Sequence, residues 1–222
     1  MSPFDPPFDE LPGVLPVFPL TGVLLLPRGR LPLNIFEPRY LNMIRDGLAP
    51  PRMIGMIQPA KAQSEAEETD PKLYATGCAG RITQFEETDD GRFVLSLLGV
   101  CRFDIVEELA QQNGYRRCTV DWSQYAQDMT NPAETAAPFN RNRLRPPLER
   151  YFQRRDINAN WDAIDKLDDD RLINTIAMLC PFAAPEKQAL LEAPGQIQRG
   201  ELLLAILEMA SMADTDDNET RQ

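Results

Sequence analysis

The chain has 222 residues, 43% of them hydrophobic and 26% charged, enough to bury a core in one large or two small domains and too apolar for wholesale disorder. Its net charge of −11 argues against a general binder of nucleic acid or anionic membrane, because both need a cationic surface. No run approaches the roughly 20 apolar residues that span a bilayer, and residues 1–10 are acidic and proline-rich, unlike a secretory signal, so a cytoplasmic protein is expected.

Residues 1–11 read as a loose arm. From residue 14 to 122 the pattern is mostly strand, beginning with short apolar runs at 14–18, 23–26 and 31–35 punctuated by Pro19, Gly22, Pro27, Gly29 and Pro32. Proline inside such runs belongs at strand edges and bulges, as in a small irregular barrel. Glu37-Pro38-Arg39-Tyr40 opens a helix, since Pro38 suits a first turn, and Tyr40, Ile44 and Leu48 then recur on one face before Gly47 ends it. Residues 53–58 make another strand, and the acidic stretch 59–71 a mobile loop. Residues 74–87 and 92–107 form a hairpin about Thr88-Asp89-Asp90-Gly91, where Asp-Gly supplies the positive φ of a tight turn. A last strand at 115–122 turns Cys118, Val120 and Trp122 inward and leaves Arg116, Arg117 and Asp121 at wetter positions.

Residues 123–138 are polar and small, a linker into a helical half. Pro146-Pro147 start or kink a helix carrying Leu148, Tyr151 and Phe152; Asn160 caps a short one with Trp161, Ile164 and Leu167. Asp168 and Asp169 precede a third with Leu172, Ile173, Ile176 and Leu179, Pro185 begins a fourth, and residues 197–212 are apolar enough to be the buried centre of a bundle. The expected fold is α+β: a β-rich pseudo-barrel subdomain with one embedded helix (12–122), a linker (123–138), a C-terminal α-helical bundle (139–212) and flexible termini (1–11 and 213–222).

Two blocks carry a family resemblance. Leu15-Pro16-Val17-Phe18-Pro19-Leu20 with Pro32-Leu33-Asn34-Ile35-Phe36-Glu37-Pro38-Arg39-Tyr40 resembles the opening of the substrate-binding N-terminal domain of Lon-type ATP-dependent proteases, a domain also found in cereblon. Lys187-Gln188-Ala189-Leu190-Leu191-Glu192 is similar to that family's Lys-Gln-x-Leu-Leu-Glu segment, and the order of barrel then bundle is the family's order, so the resemblance covers about residues 12–210. The run Gln198-Arg199-Gly200-Glu201-Leu202 departs from the pattern by its glycine. The resemblance implies a standalone module that recognises polypeptides: unfolded segments, degradation substrates or an adaptor of a protease or chaperone pathway.

Catalytic chemistry is hard to find. The chain has no Gly-Lys pair for a phosphate-cradling loop, no serine in a glycine-rich turn beside a lysine, and no histidine, which excludes histidine-based triads and histidine–metal sites. Cys78, Cys101, Cys118 and Cys180 are too widely spaced for a zinc site and read as reduced core thiols. No catalytic residue, cofactor or metal is therefore expected. Glu37 and Arg39 read as helix-start partners, and the basic run Arg141 to Arg155 as a solvated or intramolecular face rather than a nucleic-acid site, because no aromatics interleave. The candidate protein-binding residues are Leu24, Leu26, Leu31 and Leu33, which exceed the needs of one buried face, with Arg39 beside them. The expected function is a non-catalytic polypeptide-recognition module without nucleic-acid or membrane partners. Its rival is a scaffold or oligomerisation module without a client, and a homodimer is left open.

Overall fold

In a computed structural model, residues 4–60, 71–130 and 139–219 are described. Among the described residues the proline- and glycine-broken runs form six strands: β1 (Val14–Pro19), β2 (Arg30–Ile35), β3 (Met53–Ile57), β4 (Thr76–Glu87), β5 (Phe93–Gln112) and β6 (Tyr115–Asp121). They are ordered β2-β5-β4-β3-β1-β6, and a further pairing of β5 with β6 closes β5-β4-β3-β1-β6 into a ring. Only β1 and β3 run parallel, with Val17 opposite Gly55. The length of β5 makes the closure: its first part lies between β2 and β4, and from Asp104 onward it pairs with β6.

Two turns set the register. Between β4 and β5, the Thr88 amide donates to the Arg92 carbonyl at 3.0 Å and Gly91 takes φ +81°. Between β5 and β6, Asn113 and Gly114 both have positive φ (+50° and +85°), the two-residue turn whose twist matches the strands it joins. That turn carries β5 to Gln112, beyond the expected end at 107.

Inside the ring, Leu15, Val17, Met53, Ile57, Cys101, Phe103, Cys118 and Val120 pack with Trp122 and Met129. Phe103 is wholly enclosed, its ring in space left by two glycines: a Cβ on Gly77 or Gly55 would come within 2.5 or 2.8 Å of it. Trp122 meets it edge-on at 5.8 Å. All four cysteines are buried free thiols, and burial pushes Cys101 up to about 12 and Cys118 up to about 11.

Residues 23–26, expected as a strand, are not one. They cross the barrel with their leucines inward, and the Leu26 carbonyl presses so close to Gly99 that a Cβ there would lie 2.0 Å from it. The neighbouring Arg28 amide bonds the Gly99 carbonyl at 2.7 Å. Helix α1 (Pro38–Gly47) buries Tyr40, Met43 and Ile44, and the Tyr40 ring tilts against Phe18 at 4.2 Å.

The N-terminal arm is not loose over its described part. Asp5 pairs with Arg81 at 2.8 Å, and Phe8 and Leu11 pack on the barrel core. The first part of the expected linker is also structured. Residues Ser123–Met129 form a 3-10 helix, and its Asp128 meets Arg102, which is 1% exposed. The Arg102 Nε and Nη2 donate to the two Asp128 oxygens at 2.8 Å each, Nη1 donates to the Leu191 carbonyl at 3.0 Å, and the guanidinium lies 4.7 Å from the Tyr125 ring centroid. The rest of the linker (131–138) and most of the acidic loop (61–70) lie outside the described residues. Arg116, expected at a wet position, is buried because its guanidinium clasps Glu108 across the β5–β6 hairpin and donates to the Pro71 carbonyl.

By contacts the chain divides into two units: Met1–Asn131 with Pro181–Leu191, and Pro132–Cys180 with Glu192–Gln222. This differs from the expected helical subdomain at 139–212, because the Lys187 segment returns to the strand-rich unit. The second unit holds α2 (Arg141–Arg154), α3 (Trp161–Asp165), α4 (Asp169–Leu179) and the long helix α6 (Gln196–Glu219). Asn160 and Asp168 cap α3 and α4 by accepting from the Ala163 and Arg171 amides at 3.1 and 2.8 Å. Pro146 and Pro147 lie within α2 rather than at its start. Gly200, the departure from the family pattern, sits inside α6 where a Cβ would meet the Phe139 ring at 2.7 Å, so glycine there permits close packing. The basic run is used within this unit: Arg143 pairs with Glu201 and Arg145 with Glu149 and Asp165, while Arg141 donates to the Leu167 and Ile164 carbonyls.

Candidate functional site

The strand β4 has twelve residues and its neighbour β3 five, and the mismatch leaves an edge. The pairing of β3 with β4 runs only from Met53 opposite Arg81 to Met56 opposite Cys78. Past it, the Ile82 amide still finds the Arg52 carbonyl at 2.8 Å, because Arg52 turns with φ +61° between α1 and β3. A register shift between Ile82 and Gln84 follows. Thr88 faces β5 through its amide, so strand alternation directs the amides and carbonyls of Phe85 and Glu87 away from β5. Among the described residues, no strand pairs with them on that side.

Beside this edge opens a pocket of about 320 Å³ lined by Leu48, Arg52, Ile82, Thr83, Gln84 and Phe85. Leu48, Ile82 and Phe85 make its apolar part, and Phe85 is held edge-on against the buried Phe93 at 5.0 Å. Two polar contacts stiffen its wall: the Thr83 hydroxyl donates to the Ser96 carbonyl at 3.0 Å, and Arg52 Nε donates to the Leu48 carbonyl at 3.1 Å. Beyond the pocket, toward the hairpin tip, stand the exposed Glu86, Glu87 and Asp89. Asp90 is held below the usual carboxylate range by the Thr88 hydroxyl and the nearby Arg92 guanidinium. A free strand edge beside an apolar pocket can take an extended segment, main chain on main chain, with one side chain inserted.

The residues expected to bind are placed differently. Leu24, Leu26 and Leu33 are buried, so they build the core rather than an exposed patch; three leucines in a row pack inward here because the segment crosses the barrel instead of lying in a sheet. Leu31 is half-buried on the edge strand β2. Arg39 is exposed, pairs with Glu37 at 2.9 Å and lies over the Tyr40 ring at 4.6 Å, while the Glu37 side chain makes no capping bond to the helix start. The apolar side chains exposed near this end of the sheet are Phe36 (63%) and Val94 (42%). Among the described residues, no cluster of acids or cysteines is placed to hold a metal, and no helix is long and apolar enough to cross a membrane.

Residues 14–209 match the model of the ATP-dependent protease La (LON) substrate-binding domain. The chain belongs to this family. Its relatives include Lon protease 2 of Myxococcus xanthus, 27% identical over 202 residues that cover 90% of this chain and 24% of that protein. The Lon protease of Elusimicrobium minutum is 29% identical over 208 residues, 91% of this chain and again 24% of the relative. The chain thus spans about a quarter of the length of these curated relatives. In fold it is similar to the Lon N-terminal domain protein from Xanthomonas campestris (TM-score 0.57, 24% identity, 86% of this chain and 97% of that one). It is also similar to the N-terminal domain of the Mycobacterium avium complex Lon protease (TM-score 0.56, 17% identity, 88% and 98%).

Within this LON domain the Lys187 block works as a latch. Helix α5 (Ala184–Glu192) lies on the barrel unit, and Lys187 Nζ donates to the Gly22 carbonyl at 2.8 Å. Gln188 Nε2 donates to the Thr76 carbonyl at 3.1 Å and its oxygen accepts from Gln58 Nε2 at 3.3 Å, while Gln58 accepts from the Gly22 amide. Both polar side chains are buried and bonded, so the segment's polar letters hold the fold of the LON domain.

Proposed function

We propose that this LON domain recognises extended polypeptide segments, unfolded or bound for degradation, by adding them as a strand to the outer edge of β4 with an apolar side chain in the Phe85 pocket. The observation that supports the reading is an edge that no strand among the described residues pairs with, beside an apolar pocket in a domain of a substrate-binding family. Catalysis has no part in it: the sequence lacks a Gly-Lys phosphate loop and a placed serine–lysine pair. The test is fluorescence anisotropy with a labelled, permanently unfolded polypeptide. Wild type is expected to bind, and Phe85→Asp, which puts a charge in the pocket and removes the ring packed on Phe93, is expected to weaken binding at least tenfold while the protein stays folded at the assay temperature, checked by a thermal melt. Equal binding by the variant would move the site elsewhere. The rival is a scaffold whose edge pairs with a second copy, and it predicts a fixed dimer by light scattering and no binding of the unfolded chain.

A further inference from the structure

Resting on that reading, we infer that the β4 edge selects extended segments carrying lysine or arginine beside the apolar anchor. The occupant is named by charge. Along and just beyond the edge, Glu86, Glu87 and Asp89 are exposed and their carboxylates have no ion-pair or hydrogen-bond partner among the described residues. The cations that flank them in sequence are paired elsewhere, Arg92 with Asp90 at 2.9 Å and Arg81 with Asp5 at 2.8 Å. Two arginines bring positive charge to the base of the edge: Arg52, in the pocket lining with its Nε on the Leu48 carbonyl, and Arg45, whose guanidinium lies 5.2 Å from the ring centroid of Phe93, the β5 partner of Glu87. The hairpin tip beyond them carries three exposed carboxylates without an ion-pair partner among the described residues, next to an apolar pocket, in a chain whose net charge is −11.

A strand laid on residues 83–87 runs about 17 Å at roughly 3.3 Å per residue, so a side chain in the pocket and cations two to four residues away reach both features at once. Pairing along the main chain is indifferent to sequence. The pocket asks for an apolar side chain, and the three carboxylates ask for cations beside it and repel acids. An acidic second copy of this chain is a poor fit to the same edge. Basic, apolar-anchored segments are what these features select together.

The experiment compares two labelled ten-residue peptides with the same Val-Phe-Val centre, one with lysine pairs at both ends and one with glutamate pairs, so that strand direction does not matter. At low salt the lysine peptide is expected to bind about tenfold or more tightly than the glutamate peptide, the gap closing as salt rises, since exposed charge pairs are individually weak and screened. The double variant Glu86→Lys/Glu87→Lys is expected to abolish or reverse the preference while keeping its melting midpoint. Equal affinity of the two peptides, both lost in Phe85→Asp, would overturn the charge selection and leave strand addition standing. Absence of binding by either peptide would overturn both. A concentration-dependent dimer abolished by Phe85→Asp would assign the edge to a second copy and also refute the inference.

Discussion

Replacing Arg102 by alanine should strand a buried carboxylate. Arg102 makes two 2.8 Å bonds to Asp128 and one of 3.0 Å to the Leu191 carbonyl, and its own amide gives Asp128 a further bond at 3.0 Å. Both side chains are nearly inaccessible, at 1% and 8% exposure, so water cannot replace what is removed. Breaking such a pair from one side typically costs about 3–5 kcal/mol, because the remaining charge stays desolvated without its counter-ion. At about 2–4 °C per kcal/mol for a chain of this size, the melting midpoint should fall by about 6–20 °C. The two tryptophans separate the units: Trp122 lies in the barrel unit and Trp161 in the other, so a Trp161→Phe background lets urea denaturation followed by fluorescence report the barrel alone. Arg102→Met combined with Asp128→Leu removes both charges and should recover most of the loss, since well-packed apolar replacements of a buried pair are often close to neutral. A loss below about 1 kcal/mol for the single variant, or a double variant as unstable as the single one, would refute the argument that desolvation dominates.

Gly99→Ala should lower the melting midpoint sharply or abolish soluble expression, because the new methyl would lie 2.0 Å from the Leu26 carbonyl, while Gly13→Ala, with nothing within 4 Å, should behave like wild type. Native protein at pH 8 should leave its four thiols unmodified by an aromatic disulfide reagent and expose all four in denaturant, since each is buried and burial raises Cys101 and Cys118 well above that pH. Tyr115, buried and donating to Asp46 at 2.8 Å, is pushed up to about 12. A raised phenol contributes its stability below the unfolded value near 10 and loses it as pH climbs toward 12; burial raises Tyr125 as well, so an absorbance titration of tyrosinate should show late-ionising groups, one fewer in Tyr115→Phe.

Period and punctuation carried much of the barrel into view from the sequence alone. Proline-broken apolar runs, Asp90-Gly91 and the Pro38 helix start are local signals, and each acts where it stands. What escaped was set by partners distant in sequence. The 23–26 run has strand composition, but its place is decided by Gly80 and Gly99 on other strands, which leave room for it to cross the barrel. Arg116 reads as a wetter position because its counter-ion lies 8 residues upstream on the other strand of a hairpin, and nothing local marks Arg102, whose counter-ion lies 26 residues downstream. The Lys187 block was legible as a family signature, and its physical meaning, a set of buried hydrogen bonds to Gly22, Gln58 and Thr76, was not. The pocket by Phe85 had one unused signal, the disparity in length between β3 and β4.

The return of residues 181–191 to the barrel unit means that Pro132–Cys180 is an insertion within that unit rather than an appendage to it. No single truncation can separate the two, and a shortened protein meant to carry the barrel alone must splice α5 back onto Asn131. The same connectivity orders events on the ribosome. Every strand has been synthesised once residue 121 is made, but the α5 side chains that bond Gly22, Gln58 and Thr76 have not. The roughly 60 residues from 131 to 191 take about 3–12 s at typical rates of synthesis. For that interval the groups that α5 will bond, the Gly22 and Thr76 carbonyls and the Gln58 amide, must be met by water instead.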